Sequence, residues 1–347
     1  MVLTNDVLIQ KVFKELVKYK PWLQQVVTLD LEEEDPYDSR YLGDLIIKNM
    51  PWPIGVELRR LFSLSFDRPG TGCLEQMELI IERSLQFISF ILISQLWNEK
   101  KINDIDIPEN IRQEFGERIK ELNTQNYLWF IRTTGMLFEE NSIQWFIPEM
   151  KTILDSSFLD NIEECRKDKE LIKEIPSLMS DREIEACFEK TSSRLISLLQ
   201  QISFMCNYKL VSVREIKVIS PRYQPPKFHH YYNLLENAES DVRTMKISDS
   251  AFCDSHSVLL TRTPDSISKS LNLSPLILDT NSYLENYMEN LKVQKDIFMY
   301  SGCEEDQLRY SGIEATEECD FRTLQYYPML VSQFKDLIGT ISGRSAD

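Results

Sequence analysis

The stretch TGCLEQMELIIERSLQFISFILISQLWNE (71–99) carries the strongest helical pattern of the chain. Apolar residues recur along it every three or four positions, which places them on one face of a helix, and no Pro interrupts the pattern. Thr71 stands where its hydroxyl can cap the first turn. The pattern predicts a helix of about seven turns at the centre of a bundle. Its apolar stripe consists of Leu74, Met77, Ile81, Leu85, Ile88, Leu92 and Leu96.

The most apolar part of this stretch, 85–97, is too short and too polar for a membrane span. It contains two Gln and two Ser, whereas a span needs roughly 20 predominantly apolar residues. The run therefore predicts a buried helix of a soluble domain, and we expect no membrane contact.

Helical patterns continue on both sides of this stretch and end near residue 206. Residues 5–19 repeat apolar positions on one helix face, and the capping-box pattern SDRE (180–183) opens a helical pattern that runs to 205. In 209–219 apolar residues alternate with polar ones, and the phase shifts at Arg214-Glu215, which predicts a strand with a bulge. Short β-rich runs follow as far as residue 313.

The change of pattern predicts an α+β fold with an all-helical bundle followed by a β-rich domain. A chain of 347 residues exceeds the roughly 250–300 residues beyond which single cores tend to split. We therefore predict a helical bundle domain at 1–205, a β-rich domain at 206–340 and a polar tail at 341–347.

The composition excludes most familiar enzyme signatures. The chain has three His and ten Gly, with no Gly between Gly135 and Gly302. Phosphate-binding loops need Gly for close backbone approach, and acid–base or zinc chemistry usually recruits His. A formal net charge of −16, from 39 Lys and Arg against 55 Asp and Glu, disfavours nucleic acid and anionic membranes as partners.

The seven Cys residues are scattered singly along the chain, without a Cys-x-x-Cys pair. That spacing fits neither a disulfide framework nor a structural zinc site. The first residues, MVLTNDVLIQKVFKEL, mix charge into their apolar positions and lack the apolar core of a secretory signal. We therefore expect a cytoplasmic protein.

One segment, RYQPPKFH (222–229), places Arg222 and His229 with six residues between them. This spacing resembles that of ribonucleases with the HEPN fold. The resemblance implies that Arg222 stabilises charge on a phosphate while His229 exchanges a proton with ribose. Pro225 and Pro226 depart from the family pattern because they oppose a helical setting.

The residues around this segment are locally basic despite the acidic chain. Between 207 and 231 five Lys or Arg stand against one Glu. The alternative reading is a nucleic-acid-processing effector, with Lys209, Arg214, Lys217 and Lys227 as the residues that contact nucleic acid.

A second alternative is a metal-dependent hydrolase centred on His229, Asp254 and His256. Asp254 and His256 are two residues apart, so they would point to one face of a strand. The spacing matches neither a His-Glu-x-x-His helix nor a paired structural zinc site.

Two segments, PWPIGVELRRLF (51–62) and LEQMELIIERSLQFISFILISQLW (74–97), resemble the N-terminal helical region of bacterial proteins found beside effector domains in conflict and defence systems. There a Pro-x-Pro-like turn and a short Arg-rich helix precede a long apolar helix. The resemblance covers about 50 residues, includes no catalytic motif and implies an adaptor or docking role.

We therefore expect a cytoplasmic bacterial protein without enzymatic activity, which acts as an interaction, sensor or regulatory subunit. Its expected partner is another protein, for which the product of an adjacent gene is the first candidate, and no cofactor is expected. The two enzymatic alternatives, at Arg222 and His229 or at the three metal-ligand types, stay open.

Overall fold

The fold is α+β, with helices in the N-terminal part and antiparallel sheets in the C-terminal part. The structure is a computed structural model of the chain. It describes residues 5–29, 39–63, 71–154, 159–160, 162–163, 181–235, 243–279, 297–304, 307–314, 321–322 and 328–343.

The helical elements follow the apolar periodicity of the sequence. Their bounds are α1 Asn5–Tyr19, α2 Trp22–Leu29, α3 Ser39–Asn49, α4 Trp52–Ser63, α5 Thr71–Asn103, α6 Glu109–Arg118, α7 Thr124–Glu140, α8 Asp181–Gln201 and α9 Pro328–Ser342. Short 3₁₀ helices lie at Pro148–Leu154, Ser203–Asn207 and Pro264–Lys269.

Helix α5 confirms the helix predicted at 71–99 and continues to Asn103, 33 residues in all, and its stripe is buried. Each of the seven stripe residues is at most 4% exposed. Among the described residues, only Gly72–Asn103 is a helix long and apolar enough to cross a membrane, and 89% of its most apolar window is buried inside the protein. A buried core helix meets the same criteria of length and apolarity. The sequence predicts such a buried helix here.

The strands form two antiparallel sheets. One has the order β3-β2-β1-β4-β5 and the other the order β6-β7-β8-β9. Their bounds are β1 Lys209–Ile219, β2 Lys227–Leu235, β3 Arg243–Ser248, β4 Val258–Thr261, β5 Leu271–Asn272, β6 Ile277–Asp279, β7 Ile297–Glu304, β8 Gln307–Gly312 and β9 Phe321–Arg322.

Contacts divide the chain into two compact units. One comprises Met1–Phe87 and Ile147–Tyr208, and the other Ile88–Phe146 and Lys209–Asp347. Helices end and strands begin at 208/209, close to the predicted change, but residues 88–146 group with the strands. The predicted domain boundary at 205/206 stays a prediction.

Inside the second unit, β7 lies against the loop that joins α6 to α7. The Tyr300 hydroxyl donates to the carbonyl of Ile119 at 2.9 Å, and the amide of Cys303 donates to the carbonyl of Lys120 at 2.8 Å. Gly302 has φ +148°, and a Cβ built there would lie 2.9 Å from the Lys120 oxygen. A glycine at 302 is therefore required for this close approach.

The sequence patterns are wrong in three places within the described residues. The sequence pattern does not predict strand β2 at Lys227–Leu235, which follows Pro225 and Pro226. Strands β7 and β8 extend into the polar stretch 301–307, which has the polarity of a hairpin loop, because their pairing continues to the pair Glu304 and Gln307. The predicted tail at 341–347 begins later, since α9 runs to Ser342; residues 344–347 lie outside the described residues.

The burial of α5 predicts the effect of a charge in its stripe. We expect Leu85→Asp to lower the free energy of unfolding by about 3–5 kcal/mol, because Leu85 is fully buried and an unpaired carboxylate there would be desolvated. Chemical denaturation measures the change. The control is Ile102→Asp on the same helix, where the side chain is 70% exposed and the expected change is within about 0.5 kcal/mol. Equal stability of the two variants would contradict the burial of the stripe.

Candidate protein-interaction surface

Strand β1 is much longer than the strand that covers one of its sides. Strand β4 pairs with it only from Lys209 to Ser212, and two hydrogen bonds of 2.9 Å then join the backbone of Val213 to residues 256 and 257. No described strand pairs with that side of β1 beyond this point. Residues 214–231 and β3 therefore form a three-stranded segment without the support of β4, which we name the β extension.

A bulge at Arg214 separates the β extension from the rest of β1. Val213 pairs with Tyr232 and Glu215 with Tyr231, so Arg214 has no partner on β2. Its guanidinium lies 3.5 Å from the carboxylate of Asp279, which is fully buried at the end of β6. The bulge thus turns Arg214 towards a buried charge of the other sheet in the same unit, as bulges commonly redirect side chains.

The register places an apolar group on one exposed face of the β extension. Residues 215, 217 and 219 of β1 share this face with 227, 229 and 231 of β2 and with 245 and 247 of β3. We name it the outer face. Met245 is 46% exposed, Ile247 is 48% exposed and Ile219 is 45% exposed. Met245 and Ile247 are two residues apart on β3, whereas Ile219 lies on β1 with β2 between, so the described residues leave apolar side chains of this face in solvent.

The tip of the β extension carries a further exposed ring. Tyr223 in the turn between β1 and β2 is 89% exposed and has φ +67°, an uncommon conformation for a residue with a side chain. The guanidinium of Arg222 lies over this ring, 4.9 Å from its centre. On the outer face, the ammonium of Lys217 lies 5.4 Å from the ring centre of Tyr231. Both arrangements have the geometry of cation–π contacts.

The opposite face of the β extension is anchored by His230. Its ring is fully buried and stacks on Phe252, with centroids 3.9 Å apart. The Ser248 hydroxyl donates to the carbonyl of Ser250 at 2.6 Å, so the 3.4 Å contact with His230 Nδ1 requires the ring nitrogen to donate. Nε2 has no hydrogen-bond partner. Burial lowers the pKa of His230, which fits a neutral ring.

The structure does not join Arg222 to His229. Arg222 lies in the exposed turn, whereas His229 is half-buried in β2 opposite Lys217, and no hydrogen bond links the two side chains. Both belong to a β-hairpin rather than to the helices of the HEPN fold. Their spacing in sequence is therefore the only feature that these two residues share with that site.

Three of the four basic residues that were predicted to contact nucleic acid lie beside an acidic residue. Lys217 lies 3.3 Å from the carboxylate of Glu215, and Lys227 forms an ion pair with Asp249. Arg214 is directed to Asp279, as described above, and Lys209 is the first residue of β1. These pairings leave less unbalanced charge for phosphates than the sequence suggests.

The three residues of the metal hypothesis have different surroundings. His229 lies on the outer face, Asp254 accepts a hydrogen bond from Gln333 at 3.3 Å, and His256 occupies a turn with φ +71°. Within the described ranges no three His, Cys, Asp or Glu residues form a group that could hold a metal ion. The neighbouring Cys253 offers no thiolate, because burial raises the pKa of its thiol to about 12.

A buried charge cluster that the sequence did not reveal links the two segments of the bacterial resemblance. Glu57 of α4 is fully buried, and its Oε2 accepts hydrogen bonds of 3.0 Å from Arg60 and from Gln76 of α5. Its Oε1 lies 3.9 Å from Nε of Arg83. Two guanidinium groups and an amide thus surround one carboxylate, which makes the cluster a connection between helices.

Comparison with known proteins adds no relative. No protein-family model, no curated protein and no solved structure matches this chain. The function of this protein is therefore inferred from its own surfaces.

The burial of His230 predicts a pH dependence of stability. Its folded pKa lies below the unfolded value of about 6.5, so below that pH the unfolded chain binds a proton that the folded protein does not. Stability is therefore lost as the pH falls. We expect His230→Phe, which keeps a planar ring against Phe252, to lose less stability than the wild type between pH values of about 7.5 and about 5.5.

Denaturant titrations at the two pH values give the comparison. The control is Ile219→Phe on the outer face, which removes no titratable group and which we expect to keep the pH dependence of the wild type. A His230→Phe variant with an unchanged pH dependence would contradict the neutral, buried ring.

Proposed function

We propose that this protein is a non-enzymatic interaction subunit that binds a protein partner through the outer face of the β extension. The observation that carries the proposal is the pair of exposed apolar side chains Met245 and Ile247 on β3, with Ile219 of β1 on the same face. Each of them is about half exposed. Apolar groups of this kind on a sheet commonly mark interaction sites.

The composition of the site favours a protein over a polyanion. Half of the eight residues of the outer face are apolar or aromatic, namely Ile219, Tyr231, Met245 and Ile247, and such side chains are common in the centres of protein interfaces. The cations Lys217 and Lys227 have carboxylates beside them. A polyanion would have to displace these carboxylates, whereas a protein surface can accept the pairs at the rim of an interface.

The biological setting follows the bacterial resemblance of 51–62 and 74–97. We place the protein in the cytoplasm of a bacterium, as a sensor or regulatory subunit of a system such as antiviral defence. The first candidate partner is the product of an adjacent gene.

The partner experiment compares two double variants in cells of the source organism. Met245→Thr with Ile247→Thr removes apolar surface while Thr keeps the preference for a strand. We expect a stoichiometric partner to copurify with the tagged wild type and its recovery to fall about tenfold or more with this variant, because apolar anchors dominate interface energies.

The matched control carries Met136→Thr with Ile102→Thr. These are the same two residue types at exposed positions of α7 and α5, 45% and 70% exposed. We expect full recovery of the partner with the control. Equal recovery with both double variants, or no stoichiometric partner for the wild type, would contradict the proposal.

The ribonuclease alternative stays a prediction with its own assay. Because Arg222 and His229 share no hydrogen bond, we expect the purified protein to leave single-stranded RNA intact, as measured by gel electrophoresis. RNA degradation that disappears in a folded His229→Ala variant would contradict the interaction proposal and establish a nuclease.

A further inference from the structure

We infer that the tip of the β extension, residues 219–226, inserts into a concave apolar pocket of the partner protein. Tyr223 is the anchor in this pocket, and a carboxylate at the pocket rim pairs with Arg222. This inference rests on the proposed function and specifies how the partner is bound. It depends on three observations: the exposure of the tip, the conformation of Tyr223 and the charge of Arg222.

The tip extends beyond the described strands that flank β1 and β2. The last described backbone hydrogen bonds on the β4 side of β1 are those of Val213, and the pairing of β2 with β3 ends at Phe228 and Ser248. Residues 217–226 are exposed without interruption. At about 3.3 Å per residue, residues 214–219 extend roughly 20 Å from Val213. The tip is therefore a narrow convex projection, which fits a concave site on a partner.

The turn at the tip holds Tyr223 in a conformation that its residue type disfavours. The amide of Gln224 donates to the carbonyl of Pro221 at 3.3 Å, which makes Tyr223 the second central residue of a β-turn. A positive φ at this place is typical of type II turns, which normally have Gly or Asn there. Because the ring is 89% exposed, burial within the protein does not offset the strain. The fold alone favours a smaller residue, so the ring fits a role in binding.

Arg222 is the basic residue of the tip whose charge a partner can still balance. Lys217 and Lys227 have carboxylates beside them, whereas no described carboxylate forms an ion pair with Arg222. Its guanidinium lies over the ring of Tyr223, and a guanidinium over a ring still donates hydrogen bonds in its own plane. A carboxylate at the rim of the pocket would complete its pairing.

Three prolines favour insertion of a preorganised tip over addition of a strand. Pro221, Pro225 and Pro226 fix φ at about −65°, which reduces the conformational entropy that the tip loses on binding. They also lack the N–H groups that an added strand would need at this edge. Tyr and Arg are among the residue types that most often dominate interface energies. The contact is therefore made by side chains of the turn rather than by its backbone.

Affinity measurements with the purified partner test the anchor. The partner is the protein that copurifies with the wild type, and isothermal titration calorimetry gives its Kd for each full-length variant. We expect Tyr223→Asn to weaken binding about 30-fold or more, because the ring is lost while Asn suits the positive φ. Tyr223→Phe keeps the ring, and we expect its Kd to stay within about threefold of the wild type.

Stability measurements separate binding from a structural role of the same residue. We expect Tyr223→Asn to be at least as stable to denaturant as the wild type, because Asn tolerates the left-handed conformation. The control is Trp22→Asn at the start of α2, where an aromatic ring that is 50% exposed is removed and the expected Kd is unchanged. Loss of stability together with binding in Tyr223→Asn, or equal weakening by the control, would overturn the inference.

Two further measurements test the charge and the burial of the ring. Arg222→Met should weaken binding about tenfold and reduce its dependence on salt, because a charge-assisted pair is lost. Nitration by tetranitromethane should modify Tyr223 in the isolated protein, and the ring should be protected in the complex. Unchanged binding of Arg222→Met would remove the carboxylate from the inference, and nitration of Tyr223 in the complex would overturn the insertion.

The remaining outcomes distinguish this inference from the proposed function. If binding depends on Met245 and Ile247 but not on Tyr223, the interaction role stands and the inference is wrong. If Tyr223→Asn instead abolishes binding of a fluorescein-labelled uridine oligonucleotide, or disrupts a dimer of the wild type, the occupant is RNA or a second copy and the inference is overturned. If the partner depends on none of these residues, the proposed function itself fails.

Discussion

The mismatch in length between β1 and β4 is the constraint on which the proposed interaction surface depends. β1 has eleven residues and β4 has four, so the pairing on that side ends while β1 and β2 continue. A strand inside a sheet pairs with a neighbouring strand along both of its edges. Beyond β4, the described strands pair with β1 only along the edge that faces β2, which leaves its other edge without a described strand. The bulge at Arg214 stands at this transition. It shifts the register so that Ile216 lies on the core face and Ile219 on the outer face.

Buried charges fix side-chain arrangements within each of the two units. Asp279 has the guanidinium of Arg214 as a neighbour, and Glu57 is held by Arg60, Arg83 and Gln76 in the other unit. Removing one member of a buried pair leaves an uncompensated charge at a cost of about 3–5 kcal/mol. These pairs therefore penalise alternative arrangements of the chain more than they add to its stability. His230 has a related role, since a neutral ring stacked on Phe252 holds the face opposite to the exposed one.

The sequence predicted those features that repeat over many residues. The stripe of α5 runs from Leu74 to Leu96, which is about six turns, so a local error in the pattern cannot hide it. The phase shift at Arg214 revealed the bulge because apolar residues flank it on both sides. Strand β2 was not predicted, because Pro225 and Pro226 precede it and aromatic and His residues on both faces obscure its alternation of apolar and polar residues. The cluster around Glu57 was not predicted, because its residues belong to separate helices and no local sequence pattern shows that they meet.

The candidate surface was predictable only in part. The local basic excess was visible in the sequence and drew attention to residues 207–231, but it suggested nucleic acid. The carboxylates that balance Lys217 and Lys227 become apparent only when the strands are paired. The exposure of Met245 and Ile247 could not be predicted, since it depends on the order of the strands in the sheet. Burial on a strand is set by tertiary context more than by its own sequence.

The central claim, that the outer face of the β extension meets a protein partner, is tested most directly by site-specific photocrosslinking in cells. A photoreactive phenylalanine replaces Met245 in one strain and Met136 in another, and mass spectrometry identifies the crosslinked residues. We predict one dominant product at position 245, joined to a single partner protein, and no such product at position 136. A partner crosslinked at position 136 but not at 245 would contradict it.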